Sequence, residues 1–392
     1  MSAKWLWPPG SGRASWRVLS SLILLVMPAA AQVPAWVPRE LGVFDTERGR
    51  VRVQVIADSL RVPSSIAFLP DGRVLVAERA AGRLDLIDLG SGARSALEGL
   101  PPVFAETDGG MLDVLPHPDY AANGWIYFAY SIRTGGGNTT VVDRARLRGT
   151  RMVDRQRLFA ALPAVDNGHH FGCRLVLQDG YLFISLGDRD QRDRAQRLDN
   201  HHGKIVRLHE DGRVPTDNPF VAVSGALPEI WSLGHRNPQG LALRDGVLWE
   251  HEHGPRGGDE INIIRRGANY GWPLITYGRE YEGGPVGEGL TARPGLVQPV
   301  HYFIPSIAPS GMTFYTGDSF PRWRGNLFIG AMGLTHLGRY SFRGDTLVRE
   351  ERIFDGMPWR VRAVTQGPDG LLYMAVDTGG MVLRLRPADP AP

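Results

Sequence analysis

The 392-residue chain contains a single cysteine, Cys173. No intramolecular disulfide can form, even in an oxidising compartment, and a cysteine-based metal site is excluded. A core of the size this length allows needs no such staple. Long amphipathic helical stretches are also scarce, which argues against a helical bundle. The polar run RDQRDRAQRLDNHHGKIVRL reads instead as a decorated loop leading into a strand. The formal charge of +3 disappears once the N-terminus is set aside. Residues 1–31 carry Lys4, Arg13 and Arg17 and no acid, leaving 41 basic and 41 acidic residues. A neutral remainder gives no argument for nucleic acid or an anionic membrane as partner.

Those first residues have a pattern of their own. A positive segment precedes VLSSLILLVM, which ends at Pro28 and is followed by small residues. That is the layout of a secretory leader cleaved after Ala31, with residues 32–392 expected to form one domain. No cysteine follows the apolar run, which argues against a lipid anchor. An uncleaved anchor is the rival reading. The expected location is the periplasm or the exterior, with no membrane insertion of the mature chain.

What the chain has in abundance is turns. Forty-nine glycines and 29 prolines fit many short strands, while 43% apolar and 22% charged residues exclude disorder and a membrane bundle. One phrase recurs: an apolar strand, a turn rich in Asp, Asn and Gly, then a second apolar or aromatic strand. It begins at Ser65, Leu112, Arg174, Leu241, Met312 and Ala363. Six copies at this spacing suit four-stranded sheets with variable loops, so the expected fold is an all-β, six-bladed β-propeller. The early run VRVQVIA, from Val51 to Ala57, would complete the last blade. A two-sheet sandwich accounts less well for six copies.

In a propeller, loops from all blades converge at the channel mouth, so distant residues can build one pocket. His169 and His170 of DNGHHFGCRL precede a strand, and an imidazole there can act as general base toward a hydroxyl. Arg236 and Asn237 precede Pro238, which holds a turn, and can grip a carboxylate or quinone-type oxygen. Arg360 and Arg362 are an i,i+2 pair on one strand face, a second anion clamp. Each of these also reads as a solvated or core-satisfied side chain. His251 and His253 share a strand face but lack the third ligand of a zinc site. In EHGPRGGDEI (Glu252 to Ile261), Asp259 and Glu260 are hard oxygen donors beside a Gly-Pro-X-Gly-Gly backbone able to turn its carbonyls inward. That suits Ca²⁺, although a charged loop with a surface ion pair explains it equally well.

HFGCRL, GHRNPQG, EHGPRGGDEIN, GANYGWP and WRVRAV…GPDG occur in an order that resembles the soluble PQQ-dependent sugar dehydrogenases, the glucose/sorbosone dehydrogenase family, and its aldose sugar dehydrogenase branch most closely. The resemblance runs from about residue 40 to 387 and is most specific between Trp231 and Pro273. It implies a propeller with PQQ and Ca²⁺ as cofactors. His170 matches the base that removes the anomeric proton as hydride passes to PQQ. Arg236, Asn237, Tyr281, Arg360, Arg362 and Asp108 match cofactor-binding positions. Gly254 and Pro255 match carbonyl ligands of the Ca²⁺ that polarises the quinone, and Glu260 and Tyr270 match a structural Ca²⁺ site. The implied partners are an aldose and an unidentified electron acceptor.

Three positions depart from the family pattern. Asp108 replaces a glutamine, Cys173 replaces a glycine, and a lysine expected near Gly333 is missing. His336 and Arg339 lie nearby in sequence. The expected function is oxidation of an aldose to the lactone. A Ca²⁺-dependent hydrolase or lactonase, or a non-catalytic carbohydrate- or protein-binding propeller, are the alternatives.

Overall fold

The computed structural model describes residues 36–388, and the expected leader lies outside them. Six antiparallel sheets follow one another along the chain. The innermost strands are Pro63–Phe68, Met111–Pro116, Leu175–Gln178, Pro238–Arg244, Pro309–Phe314 and Val361–Gln366. Each pairs with the next strand in sequence, so the six repeated phrases are the inner hairpins of six blades.

The turns explain why the repeat was visible. Asp179 and Gly180 both have positive φ (51° and 78°), as do Asp245 and Gly246 (51° and 76°). These two-residue turns match the twist of the strands they join, a geometry that Asp-Gly adopts at little cost. Their registers close tightly, with Gln178 opposite Tyr181 and Arg244 opposite Val247.

Blades pack face to face, and each of the six contacts between neighbours has its own apolar cluster. Phe128 and Leu75 belong to the contact of the first and second blades, Phe171 and Tyr127 to the second and third. Phe183 with Leu248, and Trp249 with Phe328's neighbour Ile329, serve the next two. Trp359 with Phe328, then Tyr373 with Val74, complete the circle. Each large side chain withdrawn from water there contributes about 1.5–3 kcal/mol.

The run expected to complete the last blade does so. Gly49–Ala57 pairs with Met381–Pro387, and Arg39–Thr46 adds an unexpected fifth strand outside it. Glu47, in the turn between these two strands, bonds Arg339 and Arg349 of the fifth blade. Among the described residues no helix is long and apolar enough to cross a membrane.

Candidate active site

The starts of all six inner strands meet at one mouth of the channel around a cavity of about 220 Å³. His170, Arg236, Asn237, Tyr281, Arg360, Arg362 and Asp108 all line it. A larger cavity, about 540 Å³, opens at the opposite mouth. Arg174 lines both and separates them. Its guanidinium donates to the carbonyls of Gln239 (2.9 Å), Leu112 (2.9 Å) and Arg362 (3.4 Å), three different blades.

A simple geometric rule builds the site. In an antiparallel hairpin the entry of the first strand lies beside the exit of the second. In three blades a functional candidate stands at the entry and an acid at the exit. In the third blade the pair is His170 and Asp188. The ring Nδ1 lies 2.7 Å from Asp188 Oδ1 and 3.2 Å from Asp190. A carboxylate on Nδ1 fixes the proton there in the neutral ring, so Nε2 keeps its lone pair. Asp188 is buried, and burial alone would raise its carboxyl pKa. The bond and charge of His170, the charge of Arg236 and the indole N–H of Trp272 (2.7 Å) reverse this and hold it below the ordinary value. Gly187 permits the approach, because a Cβ there would stand 2.0 Å from the His170 carbonyl oxygen.

In the fourth blade the entry residues are Arg236 and Asn237, and the exit acid is Glu252, whose carboxylate accepts both of their backbone N–H groups. Pro238 is the first residue of the inner strand rather than a turn residue. Asn237 Oδ1 accepts from Gln239 Nε2 (3.0 Å) and the Gly172 amide (3.3 Å), which leaves the amide NH₂ as the group offered to a ligand. The Arg236 guanidinium bonds the carbonyls of Gly254 (2.9 Å) and His253 (3.2 Å), stands over Trp272 at 5.3 Å, and has a buried Nε without a partner.

In the sixth blade Asp377 holds Arg362 (2.5 Å) and Arg360 (3.5 Å). Arg360 lies just before the strand rather than within it, yet both side chains reach the cavity. Tyr281 is an exposed rim residue. Asp108 faces His169 at 3.5 Å.

A third, much smaller void, about 10 Å³, is lined by Arg236, Glu252, Gly254, Glu260, Tyr270 and Trp272 among others. Strand register sets Glu252 opposite Glu260 and Glu250 opposite Asn262. Ligand atoms of His235, Glu250 and Glu252 lie within 4.8 Å of one another. Glu250 Oε1 and Asn262 Oδ1 are buried without partners. Burial, reinforced by the charge of Glu252, pushes the carboxyls of Glu250 and Glu260 well above their ordinary range. A buried set of crowded carboxyl groups with unpartnered oxygens fits a hard, oxygen-seeking cation such as Ca²⁺.

Not every expected metal residue joins that set. The Gly254 carbonyl is engaged by Arg236, and Pro255 lines neither space, packing on Gly278 instead. The Tyr270 hydroxyl is committed to the Ile263 carbonyl and the Arg265 amide. Asp259 takes four bonds, from Gly254, Ser306, Ile307 and Ala308, and is scaffold. His251 and His253 form no metal-capable group among the described residues. His336 and Arg339 are buried in the fifth blade and do not line the cavity.

Sequence reasoning passed over Asp188, Glu250, Glu252 and Trp272 as site residues. A signal for the exit acids exists: four second strands end at or just before an acid, at Glu78, Asp188, Glu252 and Asp377.

The channel mouth of the propeller thus joins a histidine backed by a buried carboxylate to the cavity-lining arginines Arg236, Arg360 and Arg362. The chain belongs to the Glucose / Sorbosone dehydrogenase family, which matches residues 60–384. It is similar to aldose sugar dehydrogenase YliI of Escherichia coli (strain K12), 43% identical over 345 residues, 86% of this chain and 93% of that protein. The crystal structure of the soluble E. coli aldose sugar dehydrogenase in the apo-form superposes with a TM-score of 0.83 at 43% identity, covering 86% of this chain and 99% of the other. The PQQ-bound form of aldose sugar dehydrogenase from Streptomyces coelicolor does so at 0.70 and 26% identity, covering 86% and 98%.

Proposed function

We propose that the chain oxidises an aldose at its anomeric hydroxyl to the lactone, using PQQ and Ca²⁺, with His170 as general base. The observation that carries this reading is the His170–Asp188 pair opening on a cavity lined by Arg236, Arg360 and Arg362.

The cavity suits an anionic, planar cofactor. Arg360 and Arg362 would hold its carboxylates, while Arg236 and the Asn237 amide would donate to its oxygens. Glu250, Glu252 and Glu260 would hold a structural Ca²⁺, and neighbouring carbonyls of the 254–255 turn would meet a second. Bound there, PQQ supplies the acceptor for the anomeric hydride and Ca²⁺ supplies Lewis acidity toward its quinone oxygens.

The protein's own part is proton handling and orientation. His170 Nε2 takes the proton from the anomeric hydroxyl as C1 becomes a carbonyl carbon, and Asp188 stabilises the imidazolium that results. The proton then leaves to solvent at the open mouth. Residues 1–31 would act as an export leader, placing the enzyme in the periplasm or outside the cell, where an unidentified acceptor collects the electrons.

The test is reconstitution of the purified mature chain with PQQ and Ca²⁺, followed by dye reduction with a panel of aldoses. Sugar-dependent reduction that is lost in His170→Gln is expected. Absence of PQQ binding at micromolar cofactor defeats the reading.

A further inference from the structure

Arg79 follows the exit acid of the first blade and lines the same cavity as Arg362. Its backbone is fixed: its amide donates to the Val62 carbonyl (3.0 Å), and Gly110 packs so closely that a Cβ there would stand 2.0 Å from the Arg79 carbonyl oxygen. One guanidinium nitrogen donates to the Thr107 carbonyl at 2.6 Å. The Nε is buried with no partner at all.

The neighbouring cations differ. Arg360 and Arg362 share Asp377, and Asp108 is turned toward His169. Among the described residues no carboxylate lies within ion-pair distance of Arg79, and only the more distant charges of Asp108 and Asp377 offset its own. Burial depresses its guanidinium pKa, and the charge of Arg362 pushes the same way. A second cation placed beside Arg362 costs stability in the empty protein, and an incoming anion offsets that cost.

We propose that Arg79 and Arg362 form a carboxylate subsite between the first and sixth blades, occupied by a carboxylate of the bound cofactor. This rests on the PQQ reading above. A carboxylate of an aldonate formed from the sugar product is the other source of the same chemistry.

The test uses the full mature chain without cofactor and measures binding of PQQ and, separately, of sodium gluconate by calorimetry. Arg79→Gln should weaken PQQ about 10- to 100-fold, the range of a charge-assisted hydrogen bond, and flatten its salt dependence. Arg79→Lys should recover part of the loss. Unchanged PQQ affinity in Arg79→Gln, with tight wild-type binding, overturns the subsite alone. A loss confined to gluconate overturns the cofactor assignment. No PQQ binding by the wild type overturns the subsite together with the proposed function. Phenylglyoxal labelling of the wild type, read by peptide mass spectrometry, needs no variant to fold. Protection of Arg79 by saturating PQQ supports the subsite, and undiminished labelling overturns it.

Discussion

The indole N–H of Trp272 donates to Asp188 at 2.7 Å, on the carboxylate oxygen that His170 does not use. The NYGWP phrase of the fourth blade thereby braces the base of the third. Trp272→Phe keeps the ring and removes the donor. We expect kcat to fall about tenfold with KM little changed, the effect of one hydrogen bond to a charged group. A purely packing role would instead appear as a lowered Tm with an unaltered pH–rate profile, so both are measured together.

Asp188 also sets a pH window. Its folded carboxyl pKa lies below the ordinary value of 3.8. The unfolded state therefore binds the proton more readily. The contribution to stability is full above about pH 4 and is lost as pH falls through the lower, folded value. Asp188→Asn should be less stable than wild type by about 2 kcal/mol at pH 7, and the gap should narrow when the denaturant titration is repeated at an acidic pH below the ordinary carboxylate range. Activity should drop by at least about 100-fold at neutral pH. An equal gap at both pH values would remove the carboxylate from this role.

Calcium should stabilise the chain through the fourth blade. At a free concentration 100-fold above its Kd the gain is about 2.7 kcal/mol, seen as a higher Tm that EDTA reverses. Glu260→Gln and Glu250→Gln should each shrink that gain, since both carboxylates belong to the crowded set beside the small void. Calorimetry with and without the ion checks it. Undiminished gains in both variants would place the ion elsewhere.

Gly187→Ala tests the closeness of the base to its carboxylate. The new methyl would overlap the His170 carbonyl oxygen at 2.0 Å, so the backbone must shift. The expected outcome is a loss of about 1–3 kcal/mol together with most of the activity, followed by thermal melts and dye reduction.

The inner hairpins were legible because their signals are local. Asp179-Gly180 and Asp245-Gly246 announce a turn whatever surrounds them, and Val51–Ala57 alternates like a strand wherever it pairs. His170, Arg236, Asn237, Arg360 and Arg362 could be picked out because each stands at or beside an inner-strand entry, within a motif. Asp188, Glu252 and Arg79 were passed over because their significance is relational. An acid ending a strand reads as an ordinary solvated residue until the hairpin folds it against the next blade's cavity. At Gly254 and Pro255 the expected groups are backbone carbonyls, whose direction side-chain types do not signal; the Gly254 carbonyl accepts from Arg236, and the Pro255 ring packs on Gly278.

The latch between Gly49–Ala57 and Met381–Pro387 joins residues such as Gln54 and Arg384, 330 positions apart. Until the final strand has left the ribosome, the last blade lacks its outer half and the circle stays open. Contacts so distant in sequence form late and slowly. Closure of the ring thus rests on one pairing that spans almost the whole described fold, and a chain whose last blade has not yet paired is an open arc rather than a finished ring.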